Sequence, residues 1–409
     1  MDMAELTALL TPDGLRLLDE QDPLQSTADV AAAVSRLRKQ GHSPDLVSAV
    51  VTQTRLRMKA HTKFGDFADR MLFTRAGLEQ ATRLSVAARH AARFRDAGIV
   101  SVADLGCGIG GDALGLAALG LRVEAVDADE VTAAIAAYNL APFSDAVTIR
   151  SGTAEEYVRT ATDAASGAFP VDAVWLDPAR RTAGHTETSR TRPEDWSPSL
   201  DWVFALAEQV PVGVKLGPGL DRELIPDDVE AQWVSADGST IELVLWSRAL
   251  AREGVRRAAL VIRGDTAHEL TAPADAADEP ARPLGAYLHE PDGAVIRARL
   301  IGEVARSLDA GMLDEHIAYL TSDAAVTSPF VSSFRVHEVL PAEPRALAKA
   351  LRDRGVGRLE IKKRGVDVDP AALRTKLKLR GDESATLFVT RIGAKRVAIL
   401  AERVWAGEG

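Results

Sequence analysis

The stretch Asp104-Leu105-Gly106-Cys107-Gly108-Ile109-Gly110-Gly111 sets a carboxylate just ahead of four closely spaced glycines. Lacking Cβ atoms, glycines accept positive φ and let a ligand lie directly against the backbone. The amides that open a following helix face such a ligand. Gly106, Gly108 and Gly111 fit G-x-G-x-x-G, a pattern that a dinucleotide fold also satisfies. Asp104 narrows the choice, because a carboxylate there faces a bound ammonium group and would repel a pyrophosphate. Asp127 ends the next apolar run, 21 positions after Gly106, where a carboxylate accepts both hydroxyls of a ribose. Ribose recognition is common to several cofactors, so Asp104 is the discriminating residue.

A second constellation lies in Ala173-Val174-Trp175-Leu176-Asp177-Pro178-Ala179-Arg180, a buried strand that ends in a polar corner. Ligands of doubly wound sheets bind outside the carboxyl ends of the strands, which puts Asp177 beside the reacting atoms. Pro178 fixes its own φ and restricts Asp177, so the corner is rigid. Arg180 and Arg181, with Arg190 and Arg192 nearby, read equally as a phosphate clamp or as a solvated loop. Lys215, in Lys215-Leu216-Gly217-Pro218-Gly219, reads as a lysine snorkelling from a strand end, with contact to substrate as the alternative.

Asp104–Gly111 resembles motif I of class I methyltransferases, and Val126-Asp127-Ala128-Asp129 resembles their motif II. The resemblance implies S-adenosyl-L-methionine as cofactor. Its methionine part would meet Asp104, Gly106, Gly108 and Gly110, and its ribose Asp127 and Ala128. Thr153 and Ala154 occupy the adenine position, although many members carry an aspartate where Thr153 stands. The Asp177 corner resembles the Asp/Asn-Pro-Pro-aromatic motif of enzymes that methylate base nitrogens. By that likeness Asp177 is also a cofactor contact, beside the reactive methyl, and Asp177 and the Pro178 carbonyl are catalytic, accepting hydrogen bonds from the target amine and aiming its lone pair at the methyl. Such placement is the main requirement, since a sulfonium is already activated. Ala179 and Arg180 replace the second proline and the aromatic, which removes the surface on which a flipped base would stack. Methylation of pyrimidine C5 is set aside: it needs a thiol nucleophile, and the one cysteine, Cys107, lies in the glycine turn.

Elements must hold these residues in place. A chain of 409 residues suggests two or three domains. Residues 1–96 read as a helical N-terminal region. From 97 to 264, short apolar strands alternate with helices, the mark of a parallel sheet. Strands are expected at Ser101–Leu105, Arg122–Asp127, Ala146–Arg150, Asp172–Asp177 and Val212–Leu216, with a hairpin of Ile241–Trp246 and Arg256–Ile262 closing the sheet. Residues 265–283, with three prolines and low hydrophobicity, read as a linker. Residues 284–409 read as a small α+β module. The expected fold is thus α/β, a Rossmann-like methyltransferase sheet with a helical N-terminal region and a C-terminal α+β domain.

Composition bounds the rest. A single cysteine rules out an intrachain disulfide and a thiolate zinc cluster, and the histidines are scattered, so no metal is expected. No apolar run reaches the roughly 20 residues needed to span a bilayer, and the acidic start Met1-Asp2-Met3-Ala4-Glu5 lacks the basic opening of a secretory signal. A cytoplasmic location, away from membranes, is expected. The net charge of −10 argues against nonspecific coating of nucleic acid, yet Arg352–Arg380 carries ten Lys/Arg against four Asp/Glu. Within it Lys362, Lys363 and Arg364 follow a strand, while Lys376 and Arg380, four apart, are expected to share a helical face. These five, with Arg180 and Arg181, are the candidate substrate contacts, since phosphate contacts position RNA without reading its sequence.

The whole arrangement, including Thr62-Lys63-Phe64 and Phe73-Thr74-Arg75, resembles class I methyltransferases with a C-terminal THUMP-like domain. THUMP domains occur in RNA-modifying enzymes and bind tRNA. The expected activity is therefore methylation of a base nitrogen in tRNA or rRNA. Two other readings stay open: a methyltransferase for a small molecule or protein whose tail is structural, and a noncatalytic RNA-binding protein with a relic cofactor pocket.

Overall fold

The computed structural model describes residues 1–161, 169–180 and 192–405. The chain divides into two compact units, the first made of Met1–Leu216 with Asp221–Val229 and Leu245–Ala251, the second of the remainder.

In the first unit five strands run parallel: β1 (Ser101–Leu105), β2 (Arg122–Asp127), β3 (Val147–Ser151), β4 (Ala173–Leu176) and β5 (Val212–Leu216), ordered β5-β4-β1-β2-β3. Every residue of β1 and β4 is buried, as in parallel sheets covered on both faces. The order reverses between β1 and β4, which pair with Asp104 opposite Trp175 and Leu105 opposite Leu176. The turn after β1 and the corner after β4 therefore open at one switch point.

Six helices precede the sheet: α1 (Met3–Leu9), α2 (Pro12–Asp19), α3 (Thr27–Lys39), α4 (Pro44–Phe64), α5 (Arg75–Gln80) and α6 (Leu84–Asp96). The longest, α4, begins with Ser43 accepting from the Leu46 amide and Pro44 in the first turn, and stops at Gly65, whose φ of 54° breaks the helix. Helices α7 (Gly111–Ala118) and α8 (Glu130–Asn139) follow β1 and β2, and α9 (Ala154–Ala161) follows β3. The core of the N-terminal helices, built on Leu9, Leu37, Val50, Phe64 and Phe73, also takes in Ile109 from the glycine turn and Ile135 from α8.

Asn139, the last residue of α8, secures that junction. Its Oδ1 accepts from the Leu72 amide at 2.7 Å, and its Nδ2 donates to the carbonyls of Leu72 and Ile109 at 3.0 and 2.9 Å. An Asn139→Ala change leaves three backbone groups without partners, and each unsatisfied buried group costs about 1–3 kcal/mol. Denaturant unfolding should show a loss of about 3 kcal/mol; a shift under about 1 kcal/mol would mean that water replaces the side chain.

In the second unit Arg257–Arg263 pairs in parallel with Glu230–Ala236 and antiparallel with Thr266–Ala272. Two expectations are corrected here. The hairpin partner of Arg257–Arg263 is not Ile241–Trp246, and Thr266–Ala272 is a strand rather than linker. The Gly264-Asp265 pair makes a two-residue loop with φ 54° at Gly264, a turn that fixes a hairpin, whereas the longer connection after Trp246 does not. A seven-stranded sheet follows, ordered Gly311–Asp314, Ile317–Ser322, Tyr287–Pro291, Val331–Leu340, Lys395–Val404, Glu383–Ile392, Val356–Lys363. One face packs Leu359, Ile361, Leu387 and Val389 with Leu347, Leu351 and Leu373 of the helices Pro344–Asp353 and Pro370–Leu377. The alternate residues Phe388 and Ile399 join Tyr319 and Phe334 on the other face. Among the described residues no helix is long and apolar enough to cross a membrane.

Candidate active site

The glycine turn is laced to its neighbours by backbone bonds. The amides of Gly106 and Cys107 both donate to the Val126 carbonyl, at 2.9 and 3.0 Å. Gly106 takes φ 89°, and a Cβ there would stand 3.0 Å from the Asp177 carbonyl oxygen, so the turn lies directly against the Asp-Pro corner. Gly108 has φ 54° and open space where its Cβ would be. Gly110, at φ 88°, is close-packed: a Cβ would stand 3.0 Å from Leu140 Cδ1. The Cys107 thiol is buried, and that burial, with the charges of Asp104 and Asp127, raises its pKa, so it is no nucleophile.

Asp127 braces the turn from the end of β2. Its Oδ2 accepts from the Gly108 amide at 2.9 Å and its Oδ1 from the Asp129 amide at 3.0 Å. Partial burial nevertheless raises its pKa. Ala128 beside it is exposed. Ala154 is buried at the start of α9, and the Thr153 hydroxyl accepts from the Glu156 amide at 3.1 Å while Glu156 Oε2 accepts from the Thr153 amide at 3.1 Å. Thr153 thus caps a helix.

Asp104 is the unusual group. Its side chain is buried, and neither carboxyl oxygen has a hydrogen-bond partner. Burial, then the charges of Asp112 and Asp177, push its pKa well above the ordinary carboxylate range. A buried carboxyl with both oxygens orphaned is costly unless a cation comes to it. Together with the open face at Gly108, it fits the ammonium end of an amino-acid-bearing nucleoside.

Relatives bear on what that nucleoside is. A family model described as THUMP domain-like matches residues 331–403, and one described as a domain of unknown function matches residues 2–60. Uncharacterized S-adenosylmethionine-dependent methyltransferases from two strains of Mycobacterium tuberculosis are 35% identical over 358 residues, covering 84% of this chain and 93% of theirs. The chain belongs to the S-adenosylmethionine-dependent methyltransferases. The fold of such a methyltransferase is seen in the crystal structure of a candidate methyltransferase from Porphyromonas gingivalis, with TM-score 0.71 and 22% identity over 98% of this chain and 96% of that one. S-adenosylmethionine supplies the methyltransferase with a methyl group already activated on a sulfonium.

At the methyltransferase's Asp-Pro corner Pro178 is buried and Asp177 half-buried. Lys215 does not snorkel outward: its Nζ lies 2.5 Å from Asp177 Oδ2 and donates to Thr82 Oγ1 at 2.9 Å, with Asp112 Oδ2 at 3.8 Å. Thr82 donates to Asp112 Oδ2 at 2.7 Å, and Asp112 Oδ1 meets His90 Nδ1 at 2.8 Å. Sequence reasoning missed Thr82, His90 and Asp112. The available signal was His90 itself, a polar residue on the buried stripe Val86, Ala87, His90, Ala91, Phe94 of α6. The Arg180 side chain and Arg181 lie outside the described residues.

The basic residues of the second unit separate into two groups. Lys362 is paired with Glu290 at 2.6 Å and Glu360 at 3.3 Å, and Arg364 donates to the Ala318 carbonyl at 2.8 Å while stacking on Tyr319. Both therefore brace the sheet. Lys363, Lys376 and Arg380 are exposed. Lys376 and Arg380 do not share a helical face, because the helix ends at Leu377 and Lys378 turns left-handed at φ 48°. In the first unit, Arg55, Lys59 and Arg75 line an open groove of about 390 Å³ with Val51, Thr52, Leu56 and one carboxylate, Glu79.

Proposed function

We propose that the protein transfers a methyl group from S-adenosylmethionine to a base nitrogen of a cytoplasmic RNA, a tRNA or rRNA. The observation that carries this reading is the meeting of the glycine turn with the Asp-Pro corner at Gly106, beside the orphaned Asp104 carboxyl. In this reading Asp104 holds the cofactor's ammonium and Asp127 its ribose. Asp177 and the Pro178 carbonyl accept hydrogen bonds from the acceptor amine, which directs its lone pair along the line of transfer. The THUMP domain-like match over residues 331–403 supports RNA as the partner. So do the cations of the Arg55–Lys59–Arg75 groove, which belongs to the same unit as the site.

The deciding experiment incubates the protein with radiolabelled S-adenosylmethionine and total RNA from a strain lacking it. Label is expected in one nucleoside. Label in protein or small molecules with none in RNA would favour the alternative methyltransferase reading, which the net charge of −10 and the arginine at position 180 recommend.

Binding should also depend on salt. Each phosphate-contacting cation contributes about 0.7 to the slope of log affinity against log salt for single strands and about 0.9 for duplexes. Changing Lys363, Lys376 and Arg380 together to glutamine should lower the slope by about 2. An unaltered slope would remove these three from the RNA contact.

A further inference from the structure

We infer that Lys215 is a positioning residue for methyl transfer: clamped by Thr82 and the Asp112–His90 pair, it holds the Asp177 carboxylate ionised and fixed in orientation as a hydrogen-bond acceptor. This rests on the reading of Asp177 as the group that meets the acceptor amine.

The hydrogen-bond chain has a defined direction. Thr82 has one hydroxyl proton and gives it to Asp112, so the same oxygen must accept from Lys215. The ammonium is thereby anchored at a point set by α7 and the segment before α6, and its contact with Asp177 follows. The far end of the chain returns to the strand that carries Asp177. The His90 ring lies on Trp175 with centroids 4.5 Å apart, and Trp175 is two residues before Asp177. Lys215, Asp112 and His90 are all nearly excluded from solvent, with side-chain exposures of 11%, 10% and 4%. Charges in such a setting are screened little.

Charge balance explains why the lysine is needed. Among the groups that face it are Asp177 after β4, Asp112 from α7, Asp104 from β1 and the Lys63 ammonium from α4. Three carboxylates thus share this neighbourhood. Removing the Lys215 charge raises the Asp177 midpoint, as for carboxylates that share a site. A protonated carboxyl offers a donor where the amine needs an acceptor. Asp112 stays ionised: burial pushes its pKa up, but the hydrogen bond and charge of His90, the Lys215 ammonium and the Thr82 hydroxyl hold it down at about 2.

The test follows the aspartate carboxyl carbons of the ¹³C-labelled full-length protein by NMR across pH, with Asp177→Asn identifying the Asp177 signal. In Lys215→Met the Asp177 midpoint should rise by about two pH units, within the one to three that an opposite charge normally supplies. Lys215→Arg should restore most of it. Thr82→Val, which keeps the ammonium but removes its anchor, should give a smaller rise, and it decides the matter should Lys215→Met not fold. An Asp177 midpoint equal to wild type in Lys215→Met or, failing that, in Thr82→Val would overturn the inference. If wild-type protein labels RNA, the acid limb of that activity should move upward with the same midpoint. If total RNA takes no label at all, the RNA reading fails while the carboxyl titration still judges Lys215.

Discussion

Asp104→Asn should weaken S-adenosylmethionine binding by a hundredfold or more while leaving the cofactor-free protein at least as stable as wild type. Loss of one partner of a buried ion pair costs about 3–5 kcal/mol, and about 1.4 kcal/mol is tenfold in affinity. The stability effect has the opposite sign because Asp104 is an orphan before the cofactor arrives, its oxygens buried with no partner. Its pKa in the folded protein is raised, chiefly by burial. The contribution of this group to stability is therefore fully present below the ordinary unfolded value of about 3.9 and is lost as pH climbs through the raised folded value. The variant lacks that loss, so its advantage over wild type should widen between acid and neutral pH. Asp112, whose pKa is lowered to about 2, runs the other way, and its contribution is lost only below the unfolded value, outside that window. Calorimetric titration with cofactor and denaturant midpoints at several pH values check both halves. Undiminished affinity would remove Asp104 from the cofactor site.

The second large effect concerns Asp177→Asn. An amide presents one acceptor and two donors. Facing the Lys215 ammonium at the position of Oδ2, it would turn its oxygen toward the lysine and its NH2 toward the acceptor. The group that should receive a hydrogen bond from the substrate would then offer one. Displacement of a reacting partner by about 1 Å can cost on the order of a hundredfold, so transfer should fall by at least about that factor. Cofactor affinity should change far less, because the orphaned oxygens belong to Asp104. Single-turnover labelling of RNA beside cofactor calorimetry separates the two; equal transfer rates would show that Asp177 does not hold the acceptor.

What the sequence disclosed was the part whose signals are local. Val102-Ala103-Asp104-Leu105 before a glycine run announces a buried strand and its turn, and β1, β2 and β5 begin and end where the apolar runs do. The α+β character of residues 284–409 was legible as well. Thr266–Ala272 was not, since the prolines beyond it lower the hydrophobicity of the segment, while its Gly264-Asp265 turn signal is only two residues long. The sheet contacts of Lys362 and Arg364 were not legible, because their partners, Glu290 and the Ala318 carbonyl, are distant in sequence. Arg380 misled because a lysine, not a glycine, supplies the left-handed residue that ends the helix. The Thr82–Asp112–Lys215 contacts join three elements far apart in the chain, and no spacing rule reaches across them.

The attachment of the glycine turn to the N-terminal helices has a consequence for how this enzyme could be shortened or diversified. Ile109 sits in a socket of helical residues, Asn139 fastens it to Leu72, and Gln53 on α4 clasps the next backbone unit, donating to the Phe73 carbonyl at 2.7 Å and accepting its amide at 2.9 Å. Lys63 adds a third rivet, donating to the carbonyls of Leu78, Glu79 and Ala81 just ahead of Thr82. A fragment trimmed to the sheet would keep every residue of the nucleoside-binding signature and lose the mould in which it is cast. Substitutions at Gln53 or Lys63, which lie outside the nucleoside-binding signature, should accordingly register as changes in cofactor affinity.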